Sequence, residues 1–512
     1  MALMGEVNEL ETNLLNKEDF PHIDSLLGRY KGKVSFALPS ERDAKRPFAE
    51  LFLAVVGFAV QEGGSDIHIE FYPRWGYKIN VTTKHGDIPI NTSSLDLHDF
   101  QYFKTLLTTK HNIPTGSEDR SSWNGALPIS FPIEWVREMG IPIKPFFAKF
   151  PEYHIRLRTA YMRMPDGGFS FTMRLVDENR TKNIEEMNLP YSIEYELNNL
   201  HRIKSGMVLF CASTGQGKSS TQYSCIVIDA MSGKRKIVTI EDPPEFILFG
   251  RGSIVHIEVT PDLTAERALE QVLRMAAKVV MIGEIRTPLM LQIALSAAAT
   301  GHLVYATLHC DNSVEAFDRL YKLLPPEMKE AELSMLSAQL RAIICQRLLP
   351  LRKPTKEIGQ THILQRKWLA LNSGVDVTNY TIASEEIIDR QAIIEMVLVD
   401  YDLRMAIEEF DAENIFKIAC QQPQFETLLQ QGLRYTELGN LSIDDCERLI
   451  GGQPISARHK TKRLQLSEKY NLSTNQVDDA VSELYKLRAQ NLEADLDAIC
   501  LELSSKKESL YA

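Results

Sequence analysis

The 512-residue sequence predicts an α/β protein: a smaller α+β domain, then a P-loop domain on a largely parallel sheet, then a helical extension. Three observations predict it. At residues 206–230 a short apolar run, a glycine-containing loop and a helical stretch follow one another. From 200 to about 350, short apolar runs alternate with helical periodicity, the pattern of a parallel sheet covered on both faces. Before 176, runs of period-two alternation are separated by turn residues, the mark of strands buried on one face.

In chain order, residues 1–48 are mixed and charged and read as an N-terminal arm. Residues 49–60 read as a buried helix stopped by Gly63 and Gly64. Ile67, Ile69 and Phe71 then alternate with His68, Glu70 and Tyr72 at strand period, and residues 77–82 alternate again before a turn at Gly86-Asp87. Residues 100–107 read as a helix, and 113–151, rich in Pro, Gly and Ser, as a turn-rich insertion. Two strands at 153–159 and 169–175 flank the turn Pro165-Asp166-Gly167-Gly168. Residues 49–176 thus form one α+β domain, and 177–199 a polar linker. The P-loop domain occupies 200–360, with strands at 237–240, 278–282 and 303–308. Residues 361–452 read as mostly helical after a mixed start, and 453–512 as a helical tail. In the tail, Val477, Val481, Leu484, Leu487 and Leu492 make one broad face, which packs either on the chain's own core or on a partner.

Composition narrows the function classes. The apolar share of 44% and the charged share of 24% are those of an ordinary globular protein. A net charge of −11 argues against general nucleic-acid affinity. The start of the chain lacks a basic segment followed by an apolar one, so no secretory signal is expected. The longest apolar run, 51–60, is too short to span a bilayer. The expectation is a soluble protein with any membrane contact through a partner. The seven cysteines are odd in number and dispersed, without CxxC, which fits reduced thiols and neither a disulfide framework nor a zinc site.

The chemistry gathers around Ala212-Ser213-Thr214-Gly215-Gln216-Gly217-Lys218-Ser219-Ser220. Backbone N–H groups of such a loop wrap an oligophosphate, and the following helix adds its positive end. Lys218 would reach the β/γ-phosphates and Ser219 would hold Mg²⁺. Ala212 stands where the usual loop has its first glycine, and it can follow the turn only with negative φ. Three clusters follow at strand ends, where open α/β sheets place ligands. In Ile240-Glu241-Asp242-Pro243-Pro244-Glu245-Phe246, a carboxylate can accept a proton from water or hold Mg²⁺ through its shell. The run 278–286 is an apolar strand ending in Gly283-Glu284-Ile285-Arg286: Glu284 meets Mg²⁺ or its water, or Arg286 anchors it in a structural ion pair. In the third, His302 and His309 bracket a strand, and a His near a γ-phosphate can sense its charge.

Taken in order, these clusters resemble the motifs of the secretion-ATPase superfamily, the motors of type II secretion, type IV pili and some type IV secretion systems. Ser65 to Glu70 look like its N-terminal-domain signature, Ala212 to Ser219 its Walker A, Ile240 to Phe246 its Asp box and Gly283 to Arg286 its Walker B. Thr300 to His309 look like its His box, and Gln346-Arg347-Leu348 the short motif closing the motor core. The resemblance implies a PAS-like α+β N-terminal domain before a RecA-like P-loop ATPase domain with a helical C-terminal extension. It implies a cytoplasmic homohexamer that binds ATP and Mg²⁺ and works on an inner-membrane platform protein, with no direct nucleic-acid contact. It makes Arg156, Arg158 and Arg174 the arginines that approach the phosphates, Glu245 the general base, Glu284 the Mg²⁺-side carboxylate and His309 the γ-phosphate sensor, without deciding which glutamate activates water. Ala212, Ala277-Lys278 and Thr287 depart from the family pattern, and its tetracysteine element is missing. These departures favour a thin-pilus (type IVb-like) assembly motor of conjugative plasmids. A secretion, conjugation or retraction motor, or a scaffold that has lost hydrolysis, are the rivals.

Overall fold

The computed structural model describes residues 26, 35–36, 47–73, 76–83, 86–90, 122–141, 143, 148, 151–177, 183–242, 244–248, 250–260, 262–354, 383–442, 445–446 and 461–511. The expected helix at 100–107, nearly all of the N-terminal arm and Pro243 of the acidic turn lie outside them. The chain forms two compact units, 1–180 and 181–512.

The first unit is an antiparallel sheet with a helix on one face. Its strands are β1 Ser35–Phe36, β2 Asp66–Tyr72, β3 Gly76–Thr83, β4 Gly86–Ile90, β5 Ser122–Pro132, β6 Glu152–Arg163 and β7 Phe169–Val176, in the order β1-β5-β6-β7-β2-β3-β4. Helix α1, Pro47–Gln61, supplies Phe52, Val56 and Ala59 to a core shared with Ile67, Ile69, Ile155, Leu157, Phe171 and Met173. The strand alternation follows from this one-sided cover, because successive side chains point to opposite faces. Arg156, Arg158 and Arg174 therefore fall on the other face. Arg158 stands opposite Arg174, and Arg174 Nε donates to Asp66 Oδ1 at 3.0 Å. Strand β5 and helix α2, Ile133–Glu138, replace the turn-rich insertion expected there. Among the described residues, the side of β5 away from β6 is paired only at Ile129 and Ser130. An edge of that kind accommodates Pro128 and Pro132, which lack an N–H to donate.

The second unit carries a sheet of β8 Gly206–Cys211, β9 Ile237–Glu241, β10 Ile254–Glu258, β11 Val279–Ile282, β12 Leu303–Leu308, β13 Leu340–Pro354 and β14 Ala383–Leu398. The order is β10-β9-β11-β12-β8-β13-β14, parallel up to β13, with β14 antiparallel at the edge. Strands β8, β9, β11 and β12 are buried along their whole length, which is why they read as unbroken apolar runs. Alternate strand residues serve two cores. Leu209, Ile240, Val280 and Val304 meet α5 Ala265–Val272, α6 Pro288–Ala299 and α7 Ser313–Leu323. Val208, Ile237, Met281 and Tyr305 meet α3 Tyr191–Asn199 and α4 Lys218–Ser232. Helix α8, Lys329–Gln339, leads into β13.

Two expectations change, and the tail takes the first of its two alternatives. The 177–199 stretch is not a plain linker: α3 buries Ile193 and Leu197 against the P-loop unit. The sheet does not stop near 354, because β14 occupies residues expected to be mainly helical. Its run Ile393-Ile394-Glu395-Met396-Val397 is buried throughout, a strand pattern and not a helix stripe. Helices α9 Tyr401–Glu409, α10 Ala412–Ala419 and α11 Leu428–Glu437 follow it. In the tail, α12 Lys462–Tyr470, α13 Thr474–Ala489 and α14 Leu496–Tyr511 pack on the chain itself. Val477, Val481 and Leu484 of the predicted apolar face are buried with Leu466, Leu496 and Cys500, and Tyr191 and Tyr195 of α3 lie against them. Leu492 stays exposed because α13 has already ended. Beside this core, Arg434 pairs with Glu426 at 3.2 Å and Asp478 at 2.8 Å, and Arg463 pairs with Asp478 at 2.5 Å and reaches Ser192 Oγ at 3.3 Å.

Candidate phosphate-binding site

The loop between β8 and α4 has the backbone an oligophosphate cradle needs. Gly215 and Gly217 sit at φ +78° and +76°, the left-handed region that glycine adopts without the strain a Cβ brings. Ala212 is buried and keeps a negative φ, so its methyl group costs the turn nothing. Ser219 and Ser220 lie half-buried in the first turn of α4, and Thr214 is exposed at the loop's crest.

The carboxyl ends of β8, β11 and β12 bring three predicted residues together. Lys218 Nζ lies 3.4 Å from both ring nitrogens of His309. His309 Nε2 is 3.5 Å from Glu284 Oε1, and its Nδ1 is 3.1 Å from the Ala212 carbonyl. Burial pulls the Lys218 ammonium below its usual range, against the attraction of Glu284. The Glu284–Arg286 pair is also present, Nε to Oε2 at 2.8 Å, with Arg286 reaching Asp242 at 3.7 Å. Glu284 thus serves both an ion pair and the lysine–histidine pair. Thr287, at a position the family often fills with Asp, caps α6 by accepting from Met290 N at 3.2 Å and donates to Glu266 at 3.0 Å.

The acidic turn divides its carboxylates. Glu241 is buried; Tyr223 O–H donates to its Oε1 at 2.7 Å and Glu245 N–H to its Oε2 at 3.1 Å. Burial pushes its carboxyl up to about 7, against those two hydrogen bonds. Glu241 therefore shapes the turn from inside, whereas Asp242 is exposed and Glu245 half-buried. Between about 4.5 and 7, the folded chain holds a proton at Glu241 that the unfolded chain has released. This group's contribution to stability is largest at the acid end of that window and is lost as pH rises. Glu241→Gln should flatten the fall in melting temperature between pH 5.5 and 8 relative to the unaltered chain. Parallel curves for the two proteins would refute the assignment.

His302 is placed elsewhere. It stands at the amino end of β12, seven positions from His309, with the six-residue strand, roughly 20 Å long, between them. Its Nδ1 donates to Ala297 C=O at 2.9 Å, and its own carbonyl accepts from Gly206 N–H at 3.0 Å. In this chain it closes the C-terminus of α6 on the side of the sheet away from the loop, so its expected nucleotide contact is withdrawn. Arg156, Arg158 and Arg174 belong to the other compact unit.

Gln346-Arg347-Leu348 has a place at the loop that its resemblance to a closing motif does not specify. Gln346 Nε2 donates to the Gln216 carbonyl at 2.7 Å, and its Oε1 accepts from Thr221 Oγ at 2.5 Å. Leu348 N–H donates to Gln216 Oε1 at 2.8 Å. A Cβ on Gly217 would come within 2.8 Å of Gln346 Nε2, so the loop and β13 are in close contact. The available signal was a polar pair inside an otherwise apolar run, Ala342-Ile343-Ile344-Cys345 before and Leu348-Leu349 after.

A strand–P-loop–helix unit on a parallel sheet, with an acid and a histidine at neighbouring strand ends, defines a RecA-like P-loop nucleotide-binding fold. The family model described as "Type II/IV secretion system protein" matches residues 145–448, and the chain belongs to that family. It is 31% identical over 425 residues to "Type II secretion system protein E" of Aeromonas hydrophila, covering 80% of this chain and 76% of the relative. It is 29% identical over 316 residues to "Type II secretion system ATPase E" of Vibrio cholerae, covering 61% of this chain and 56% of the relative. In three such relatives the chain spans 49–58% of their length. The crystal structure of the Legionella pneumophila ATPase DotB shares the fold, with a TM-score of 0.56 at 20% identity, over 78% of this chain and 95% of that one. No helix among the described residues is long and apolar enough to cross a membrane.

Proposed function

We propose that the chain is a Mg²⁺-dependent motor ATPase that hydrolyses ATP to ADP and phosphate. The observation that carries this is the convergence of Lys218, His309 and Glu284 beside a loop whose two glycines hold left-handed backbone. Loop N–H groups and Lys218 would bind the β- and γ-phosphates, and His309 would sense the γ-phosphate. Ser219 and Glu284 would hold Mg²⁺, the latter through water; both are oxygen donors, which suits an ion that keeps several waters and phosphate ligands. The metal would neutralise charge on the transferring phosphoryl group. Glu245 would take the proton of the attacking water, and Arg156, Arg158 and Arg174 would supply positive charge to the phosphates.

Within this reading the protein works as a cytoplasmic homohexamer on an inner-membrane platform protein and drives assembly of a type IV, thin-pilus-like fibre. The departures at Ala212, Ala277-Lys278 and Thr287 support that branch. The relatives named for type II secretion support the rival, a secretion motor. Deleting the gene should abolish pili and leave secretion intact; the reverse outcome would install the rival.

The biochemical reading is tested by ATP turnover of the full-length chain, sized for oligomer, with Mg²⁺ and with EDTA. Glu245→Gln and Glu284→Gln should each lower kcat by about 10²-fold or more, while ADP binding persists. A sized hexamer that binds ATP but turns none over, even beside its platform protein, would make the chain a nucleotide-binding scaffold.

A further inference from the structure

We propose that Arg347 is a phosphate-site cation supplied from β13 and restrained by Asp311, so that this pair sets how tightly the loop binds an oligophosphate. The inference rests on the nucleotide-binding reading above. Strand β13 lies beside β8, with Cys345 opposite Cys211, which puts the next residues of β13 alongside the loop. Gln346 and Leu348 spend their polar groups on Gln216. Arg347, between them, donates through one terminal nitrogen to Ser213 Oγ and pairs through the other with Asp311 Oδ1 at 2.7 Å. Ser213 closes the triangle by donating its O–H to the same Asp311 oxygen at 2.7 Å.

Three features mark the arginine as more than a brace. Its side chain is only 14% exposed and touches the loop, so its charge acts through protein and not through bulk water. Its Nε–H is buried and has no acceptor among the described residues, so one of its donors is unspent. Its counter-ion is 49% exposed and lies between His309 and the start of α7. The other charged groups facing this corner are Lys218, His309 and Glu284 on the loop side. Behind it, Glu315 accepts from Asp311 N–H at 2.7 Å and Arg319 donates to the His309 carbonyl. While Asp311 holds Arg347, the two charges largely cancel for a third charge a few ångströms away. Without Asp311, a full positive charge is left on the loop.

This predicts opposite signs for the two halves of one ion pair. Asp311→Asn should bind ADP about tenfold more tightly than the unaltered full-length chain, and Arg347→Ala about tenfold more weakly, as expected for one unit charge near a polyphosphate at intermediate dielectric. Arg347→Lys keeps the charge and loses the fork, so it should stay within about threefold. The divergence should shrink at about 1 M salt. Calorimetric titration with ADP, beside thermal melts of each variant, reads all of this; if Asp311→Asn melts early, Asp311→Ser carries the same test. A purely structural brace would loosen the loop from either side, so both variants weakening together, or neither moving, overturns the proposal. Lys218→Ala separates the two levels. If it abolishes ADP binding while the pair does not diverge, only the restraint on Arg347 fails. If the unaltered, folded chain binds no ADP, the nucleotide reading fails with it.

Discussion

Lys218→Ala should lower ATP turnover of the full-length chain by on the order of 10³-fold and raise the Kd for ADP by at least about tenfold. The ammonium is the loop's own point charge, held beside His309 and Glu284 and partly desolvated, where a charge acts more strongly than in water. Removing it takes away the one cation that the loop itself contributes. The fold should be unaffected, because Lys218 begins a helix whose buried face starts further along, at Thr221 and Gln222. A melting temperature within a few degrees of the parent, together with lost turnover, is the expected pair of results. Unchanged turnover would remove the loop from the chemistry. Lys218→Arg should not rescue, since a planar fork cannot replace a compact ammonium in a closed cradle.

The largest effect on stability is expected at Asp478. It is paired with both Arg434 and Arg463, and those two arginines are less than one-tenth exposed. Burial alone would raise the Asp478 carboxyl; the two guanidinium groups overcome this and hold it below the usual carboxylate range. Asp478→Ala leaves two buried cations sharing Glu426, and the cost of an uncompensated buried charge is about 3–5 kcal/mol. In a unit of this size that is a fall in melting temperature of about 5 °C. The depressed carboxyl also fixes the sign with pH. Its contribution is complete above the unfolded value of 3.8 and disappears as pH falls through the lower folded value. A melting curve indistinguishable from the parent would show that α12 and α13 are held by their apolar contacts alone.

How much of this could be read beforehand depended on how local each signal was. The phosphate loop was legible because its glycines, lysine and serine fall in one short stretch between a strand and a helix. The acidic turn was legible as a cluster but not by role. Glu241 and Glu245 look alike in the sequence, and only the placement of Tyr223 shows that the first is turned inward. His302 and His309 likewise look equivalent at the two ends of a strand; which end carries the site depends on sheet direction. Strand β5 was hidden by its prolines, whose tolerance depends on a flank that, among the described residues, is paired only at Ile129 and Ser130. Strand β14 was hidden because Glu395 interrupts an apolar run. Its carboxylate accepts from Ser313 N–H at 2.8 Å and Leu428 N–H at 3.3 Å, the first turns of two helices distant in sequence.

The brace from β13 also dictates when the phosphate site can mature. Gln346 and the loop residue it holds, Gln216, are 130 positions apart. As the chain emerges from the ribosome, β8, the loop and α4 appear long before the strand that steadies them. Between the two come α5, α6, α7 and α8 and strands β9 to β12, all of which must be laid down first. Until residue 348 is free to pair beside β8, the loop lacks the contacts to Gln216 that fix its shape. The loop's set of contacts is therefore completed late in synthesis, and a nascent chain halted before β13 carries the complete loop motif without the bonds that hold Gln216.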